Sequence, residues 1–279
     1  MRNFIYSAEF GWKQVEETEA AMNRSFLFGD GFFETIRLGA SDFCPLAFLH
    51  ANRIARSARF LGFTEFAGMD EQQLRELLRN LPDPQPGSDR RIKLIFYRTG
   101  TGGYAPDAGC RSSLLAFSDT ISSPFFSSFR HIAVSERVRI VPQPWGWMKS
   151  SSALPYVLAG MEKNQRQADE ILLCCPSGFV VEGSFTSLCW KDSSGIHFTD
   201  RSLGGVDSCQ RRFAEAHFAA SGISFSSEKN FPSQLLNGTE WIAFLSAVGI
   251  RLFRAADQPE EIPPELAGLP VSGYSRVFV

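Results

Sequence analysis

Between Ile171 and Thr199 the chain runs through a series of short apolar segments, each ended by turn residues. Ile171–Cys175 stops at Pro176-Ser177-Gly178, and Phe179–Glu182 and Phe185–Lys191 follow. Asp192-Ser193-Ser194-Gly195 then turns the chain into Ile196–Thr199. Runs this short cannot present a helical face of two or three turns, but they suffice for strands. Strands of roughly 4–8 residues bounded by Gly, Pro, Ser and Asp carry this signature. Any fold for the chain must therefore bury several short strands here.

The same grammar extends over the rest of the sequence. FIYS and WKQVEE form an opening pair of strands, and Phe32–Leu38 and Phe43–Leu49 bracket a Gly-Ala-Ser-Asp turn as a hairpin. His50–Leu61 reads as a helix: Ile54, Ala58 and Leu61 recur at helical spacing, with Arg53, Arg56 and Arg59 on other faces. A second helix spans about Asp70–Asn80, capped by Asp70 and stopped at Leu81-Pro82. Arg91–Thr99, Ser112–Ser118, Ile132–Ile140, Ile242–Ser246 and Ile250–Phe253 are further strands. Tyr156–Gln167 and Asp207–Ala220 are further helices. Pro142–Pro155 is irregular. This is an α+β architecture in two parts: a small N-terminal domain over 1–118, a Ser/Pro-rich linker at 119–128, and a larger β-rich domain over 129–279.

Composition narrows the function classes. Twenty-eight Lys and Arg against 30 Asp and Glu give a net charge of −2, with no basic patch to suit nucleic acid or an anionic membrane. No apolar run approaches the roughly 18–20 residues that span a bilayer, and the N-terminus lacks a signal-peptide pattern, so a cytoplasmic protein is expected. The 6 cysteines form no CxxC pair and read as free, buried thiols. His131, His197 and His217 have no metal-ligand spacing, and no metal is expected.

Four local segments say more. They are FGDGFFETIR at Phe28–Arg37, His50 with Arg53 at a helix start, Lys149 followed by Glu182 in FVVEGSFTS, and the Gly204-Gly205-Val206-Asp207 turn before a helix containing Arg211. Each alone is an ordinary turn, helix or strand end. In this order, over about Asn23 to Ile250, they resemble the class IV aminotransferase family, the fold type IV pyridoxal-phosphate enzymes. HANRIARSARFLGF, RTGTGGYAP and the long segment from KSSSALPYVLAGMEK to FVVEGSFTSLCW carry the same resemblance.

The resemblance implies a D-amino acid aminotransferase-like fold, the cofactor pyridoxal 5'-phosphate, and a homodimer in which one subunit's small domain helps close the other's site. Lys149 matches the lysine that forms the cofactor's Schiff base and moves protons on the substrate, with Trp145, Trp147 and Met148 helping to desolvate it. Glu182 matches the carboxylate that keeps the ring nitrogen protonated. Arg53 matches the phosphate arginine. Backbone around Val206, Asp207 and Ser208, with Ser246 and Ala247 on the late strand, matches the rest of the phosphate cup. Arg98, Tyr104 and Glu34 are candidates for an amino-acid-like substrate, Arg98 and Tyr104 with an equal case for structural roles. His50 reads as an ordinary helix-start residue.

Some positions depart from the pattern. Ala153 and Leu154 stand where a Tyr or Arg is common near the cofactor's phenolic oxygen, and Ser208-Cys209-Gln210-Arg211 stands for the usual Gly-Ile-Thr-Arg. The short N-terminus, RTGTGGY and GGVDSCQRRF most resemble aminodeoxychorismate lyases. A branched-chain or related transaminase is the competing activity, and a non-catalytic relic that binds the cofactor or a partner is the alternative of another class.

Overall fold

The computed structural model describes residues 2–7, 11–14, 24–40, 42–82, 87–100, 102–254 and 261–269. The chain forms two compact units. Among the described residues, the first holds the chain up to Ser123 together with Met148–Ser152; the second holds Pro124–Trp147 and the chain from Ala153 to Leu269.

The first unit is built on an antiparallel sheet of five strands: β1 (Arg2–Ser7), β2 (Gly11–Gln14), β3 (Gly31–Leu38), β4 (Arg90–Arg98) and β5 (Ser112–Thr120), in the order β2-β1-β5-β4-β3. Along β4, Ile92, Leu94 and Phe96 are buried while Arg91 and Lys93 between them are exposed, the period of a half-covered strand. Among its described residues are the α-helices α1 (Arg24–Phe28), α2 (Ala47–Leu61) and α3 (Glu71–Arg79). In α3, Asp70 accepts from Gln73 N at 2.8 Å and Gln73 Oε1 accepts from Asp70 N at 3.0 Å, a reciprocal cap.

The predicted hairpin at Gly39–Asp42 is only half present. Asp42 N donates to Gly39 O at 3.0 Å, so the turn forms, but Phe43–Leu49 is not a strand. The chain enters α2 at Ala47, three residues before the expected start. Ala47, Ala51, Ile54, Ala55 and Ala58 are all buried at helical spacing, and that long stripe wins over a short apolar run whose period was ambiguous. Helix α1, just before the GDG segment, had no sequence signal.

The described residues of the second unit form two sheets. Strands β7 (Ile132–Arg139), β8 (Glu170–Cys174) and β9 (Val180–Gly183) form the smaller one. The larger comprises β6 (Phe126–Phe129), β10 (Ser187–Asp192), β11 (Gly195–Thr199), β12 (Phe225–Glu228), β13 (Trp241–Ser246) and β14 (Gly249–Phe253), ordered β12-β11-β10-β13-β14-β6. Every residue of β8 is buried. Ile171 and Leu173 join Ala133, Val138, Ala159 and Val181 in one core, while Leu172 and Cys174 join Leu188, Trp190 and Phe244 in another. A strand buried on both faces needs an unbroken apolar run, which is what Ile171–Cys175 is. Ala159 comes from helix α4 (Leu154–Gln165); helices α5 (Cys209–Ala220) and α6 (Pro232–Gly238) complete the main elements. Strand β6 overlaps the end of the stretch that reads as a linker, paired parallel to β14, and β12 was likewise hidden by its serines. The α+β class holds.

Candidate active site

Lys149 is carried on the edge of the first unit's sheet. Phe33 N donates to Lys149 O at 2.8 Å, Ser151 N donates to Gly31 O at 3.0 Å, and Phe32 bridges Ser150. A five-residue piece of an irregular segment thus acts as a short extra strand beside β3, the edge strand. The GDG glycines make room for it. A Cβ on Gly29 would lie 2.1 Å from Ser152 Oγ, and one on Gly31 would lie 2.5 Å from the Phe96 carbonyl and 3.1 Å from Ser151 Oγ. The Lys149 ammonium sits 4.9 Å from the centroid of the Phe33 ring, a cation–π contact the sequence did not reveal. Of the three side chains expected to desolvate the lysine, Met148 is buried, Trp147 is half-buried and Trp145 is 46% exposed.

Behind that edge lies a buried charge cluster. Glu34, from β3, is fully buried, and Arg53 of α2 grips it with Nε at 2.6 Å and Nη2 at 2.7 Å. His50, one turn earlier on α2, meets the same carboxylate through Nδ1 at 2.8 Å. Burial works to raise the Glu34 carboxyl, but the charge and hydrogen bonds of Arg53, with those of His50, outweigh it and hold the group down at about 2. His50 is therefore no ordinary helix-start residue. It is buried, and it shares Glu34 with Arg53. Glu34, a substrate candidate from the sequence, is instead joined to His50 and Arg53, which share a helix face as i and i+3 positions do.

In the second unit Glu182 sits on β9, 5% exposed. Val206 N donates to its Oε2 at 3.0 Å and the Tyr156 hydroxyl donates to its Oε1 at 2.6 Å. Burial, and then the Glu182 charge, push the Tyr156 phenol well above its ordinary value, so it remains a donor. The Gly204–Asp207 turn and β9 are thereby joined. Tyr156 was missed at the sequence level, since nothing local links it to a glutamate 26 residues later.

The other residues nominated for the phosphate are engaged within this unit. Asp207 N donates to Trp147 O at 2.9 Å, and the Asp207 carboxylate is paired with Arg201 and Arg212, whose charges hold its pKa down against burial. Ser208 caps α5, its Oγ accepting from Arg211 N at 3.3 Å. Ser246 Oγ donates to Gly249 O at 2.8 Å across the β13–β14 turn, in which Ala247 is half-buried. Arg211 donates to the Thr199 carbonyl and to Glu215, so it secures α5 to β11. Gln210 Nε2 is buried without a hydrogen-bond partner among the described residues.

Arg98 and Tyr104, nominated for substrate, are held by the first unit itself. Arg98 donates to Asp30 and to the Leu61 carbonyl and stacks 4.6 Å above the Phe63 ring. Tyr104 is 93% exposed, its ring edge-on to Phe28. Arg24 is buried and gathers the carbonyls of Gly102, Gly103 and Tyr104 while pairing with Asp30, so the middle residue of the GDG segment joins Arg24 and Arg98.

Comparison with known proteins bears on the family and the fold. The family model for amino-transferase class IV matches residues 31–255. A search of curated proteins finds no significant match. Among solved structures, the branched-chain amino acid aminotransferase of Escherichia coli superposes with a TM-score of 0.78 at 16% identity, over 92% of this chain and 87% of that one. The 4-amino-4-deoxychorismate lyase of Pseudomonas aeruginosa gives 0.72 at 22% identity, over 92% of each chain. An aminotransferase from Brucella abortus bound to pyridoxal phosphate gives 0.76 at 15% identity, over 94% and 95%. With a family match over most of its length, the chain belongs to the class IV aminotransferases, a family of pyridoxal-phosphate enzymes.

Proposed function

We propose that the protein is a 4-amino-4-deoxychorismate lyase, releasing pyruvate and leaving 4-aminobenzoate for folate synthesis. The observation that carries this choice is the segment Arg98–Tyr104, RTGTGGY, which resembles that of lyases and whose carbonyls are held by Arg24. The absence of a Tyr at Ala153 and Leu154 also weighs against a branched-chain transaminase.

The chain's residues fit pyridoxal 5'-phosphate. Glu182 is a buried carboxylate with donors already on each oxygen, the form in which it would face a protonated ring nitrogen. Gln210 Nε2, a buried donor with no partner among the described residues, stands in the first turn of α5, where a helix leaves N–H groups without carbonyl partners. Arg53, which already carries Glu34, would add the cation. When bound, the cofactor supplies an electron sink for charge released at the substrate carbon. Lys149 Nζ would hold the cofactor, then take the proton from the substrate carbon that bears the amine and assist departure of the enolpyruvyl group as pyruvate. Glu34 and His50 orient Arg53. The same reading implies a cytoplasmic homodimer, supported by the exposed apolar stripe Leu154, Val157 and Met161 on α4 and by the free cysteines.

The test is pyruvate release from 4-amino-4-deoxychorismate by the protein supplied with pyridoxal phosphate. Lys149-dependent release supports the lyase. No release from protein that binds the cofactor, together with amino transfer from an amino-acid donor, would make it a transaminase.

A further inference from the structure

We propose that Tyr156 is a positioning residue for Glu182: its hydroxyl and the Val206 amide hold one carboxylate oxygen each, fixing the orientation and ionised state of the group. The inference rests on the assignment of Glu182 to the cofactor's ring nitrogen and adds to it a residue that the motif does not contain. Its basis is geometric. The Tyr156 Oη–Glu182 Oε1 distance of 2.6 Å is that of a charge-assisted hydrogen bond. Glu182 is buried on a four-residue strand, where an isolated carboxylate would drift towards its neutral form. Two donors oppose that drift. A carboxylate has about four lone-pair directions, and these two donors take two of them.

Tyr156 is well placed to act as a fixed donor. It stands in the first turn of α4 directly after Pro155, with its backbone N donating to Ala153 O at 3.0 Å. Proline at such a position presets the helical backbone and so the ring's starting point. The phenol stays protonated because burial and the adjacent carboxylate both disfavour its anion. It can donate to Glu182 but cannot compete with it for a proton at working pH.

The experiment compares Tyr156→Phe with the parent and with Glu182→Gln. The readouts are the 13C carboxyl titration of Glu182 in cofactor-free protein and the 15N shift of the ring nitrogen in protein loaded with 15N-labelled pyridoxal phosphate. Tyr156→Phe keeps the ring's shape, and near-UV circular dichroism checks that the fold is intact. The expected result is a Glu182 midpoint raised by about one unit, the scale of one lost hydrogen bond to a charged group, with the ring-nitrogen signal moved towards the unprotonated value. Unchanged signals in Tyr156→Phe, while Glu182→Gln shifts the ring nitrogen, would overturn the inference and leave the Glu182 assignment standing. A ring nitrogen unmoved by Glu182→Gln would instead remove Glu182 from the cofactor, and the inference with it.

Discussion

Arg53 holds both oxygens of Glu34, Nε to Oε1 at 2.6 Å and Nη2 to Oε2 at 2.7 Å, beneath the sheet edge that carries Lys149. The two residues are on α2 and β3, 19 positions apart in sequence, and both are buried. An ion pair so placed ties cofactor binding, if Arg53 meets the phosphate, to the stability of the first unit.

That pair makes stability depend on acid. The Glu34 carboxyl is depressed from 4.5 to about 2 in the folded protein. A depressed carboxyl contributes stability that is present above its unfolded pKa and is lost as pH falls through the folded one. The contribution, on the order of 3 kcal/mol by linkage, should disappear progressively between about pH 5 and pH 2. Urea midpoints measured across that range should fall more steeply for the parent than for Glu34→Gln.

Arg53→Ala should weaken cofactor affinity and also destabilise the fold by roughly 3–5 kcal/mol, because Glu34 is left as a buried charge without its main partner. Fluorescence titration with pyridoxal phosphate, alongside urea unfolding, separates the two effects. Affinity equal to the parent's, in a protein that remains folded, would take Arg53 away from the phosphate.

Lys149→Ala should abolish the Schiff-base absorbance and turnover, yet change stability by no more than about 0.5 kcal/mol. Its segment is held by backbone hydrogen bonds that the substitution keeps. Borohydride trapping followed by peptide mapping should label Lys149 in the parent; a label on another lysine would move the site.

Glu182→Ala should keep the cofactor attached and reduce kcat by roughly 10²–10³-fold, the scale for losing a group that stabilises developing charge. Steady-state pyruvate release gives the number, and an unchanged kcat would exclude the residue from the chemistry.

Gly31→Ala tests the lysine platform directly. The added Cβ would meet the Phe96 carbonyl at 2.5 Å, a backbone atom that cannot swing aside. A cost of roughly 1–3 kcal/mol is expected from overpacking, with a larger loss of kcat than of cofactor affinity as the Lys149 segment shifts. Wild-type stability and rate would mean that the strand edge has slack.

The sequence by itself determined the strand-rich α+β class, the boundaries of most strands and helices, and the order of the GDG, lysine and glutamate segments. Local periodicity, caps and turn chemistry act over a few residues, and so they are legible there. Phe43–Leu49 shows the limit: the run reads as a strand, but Phe43–Leu46 is loop and turn and Ala47–Leu49 opens a helix whose long apolar stripe is buried. The partners were decided only by tertiary structure. Arg53 matched a phosphate arginine and His50 read as an ordinary helix-start residue, until β3 brought Glu34 to both. Tyr156 had no visible role until α4 and β9 met at Glu182. Asp207 and Ser208 were nominated for the phosphate, but the fold also engages the first with two arginines and the second as a helix cap. A buried charge must find its counter-charge wherever the chain folds back, and that distance is not written in residue spacing.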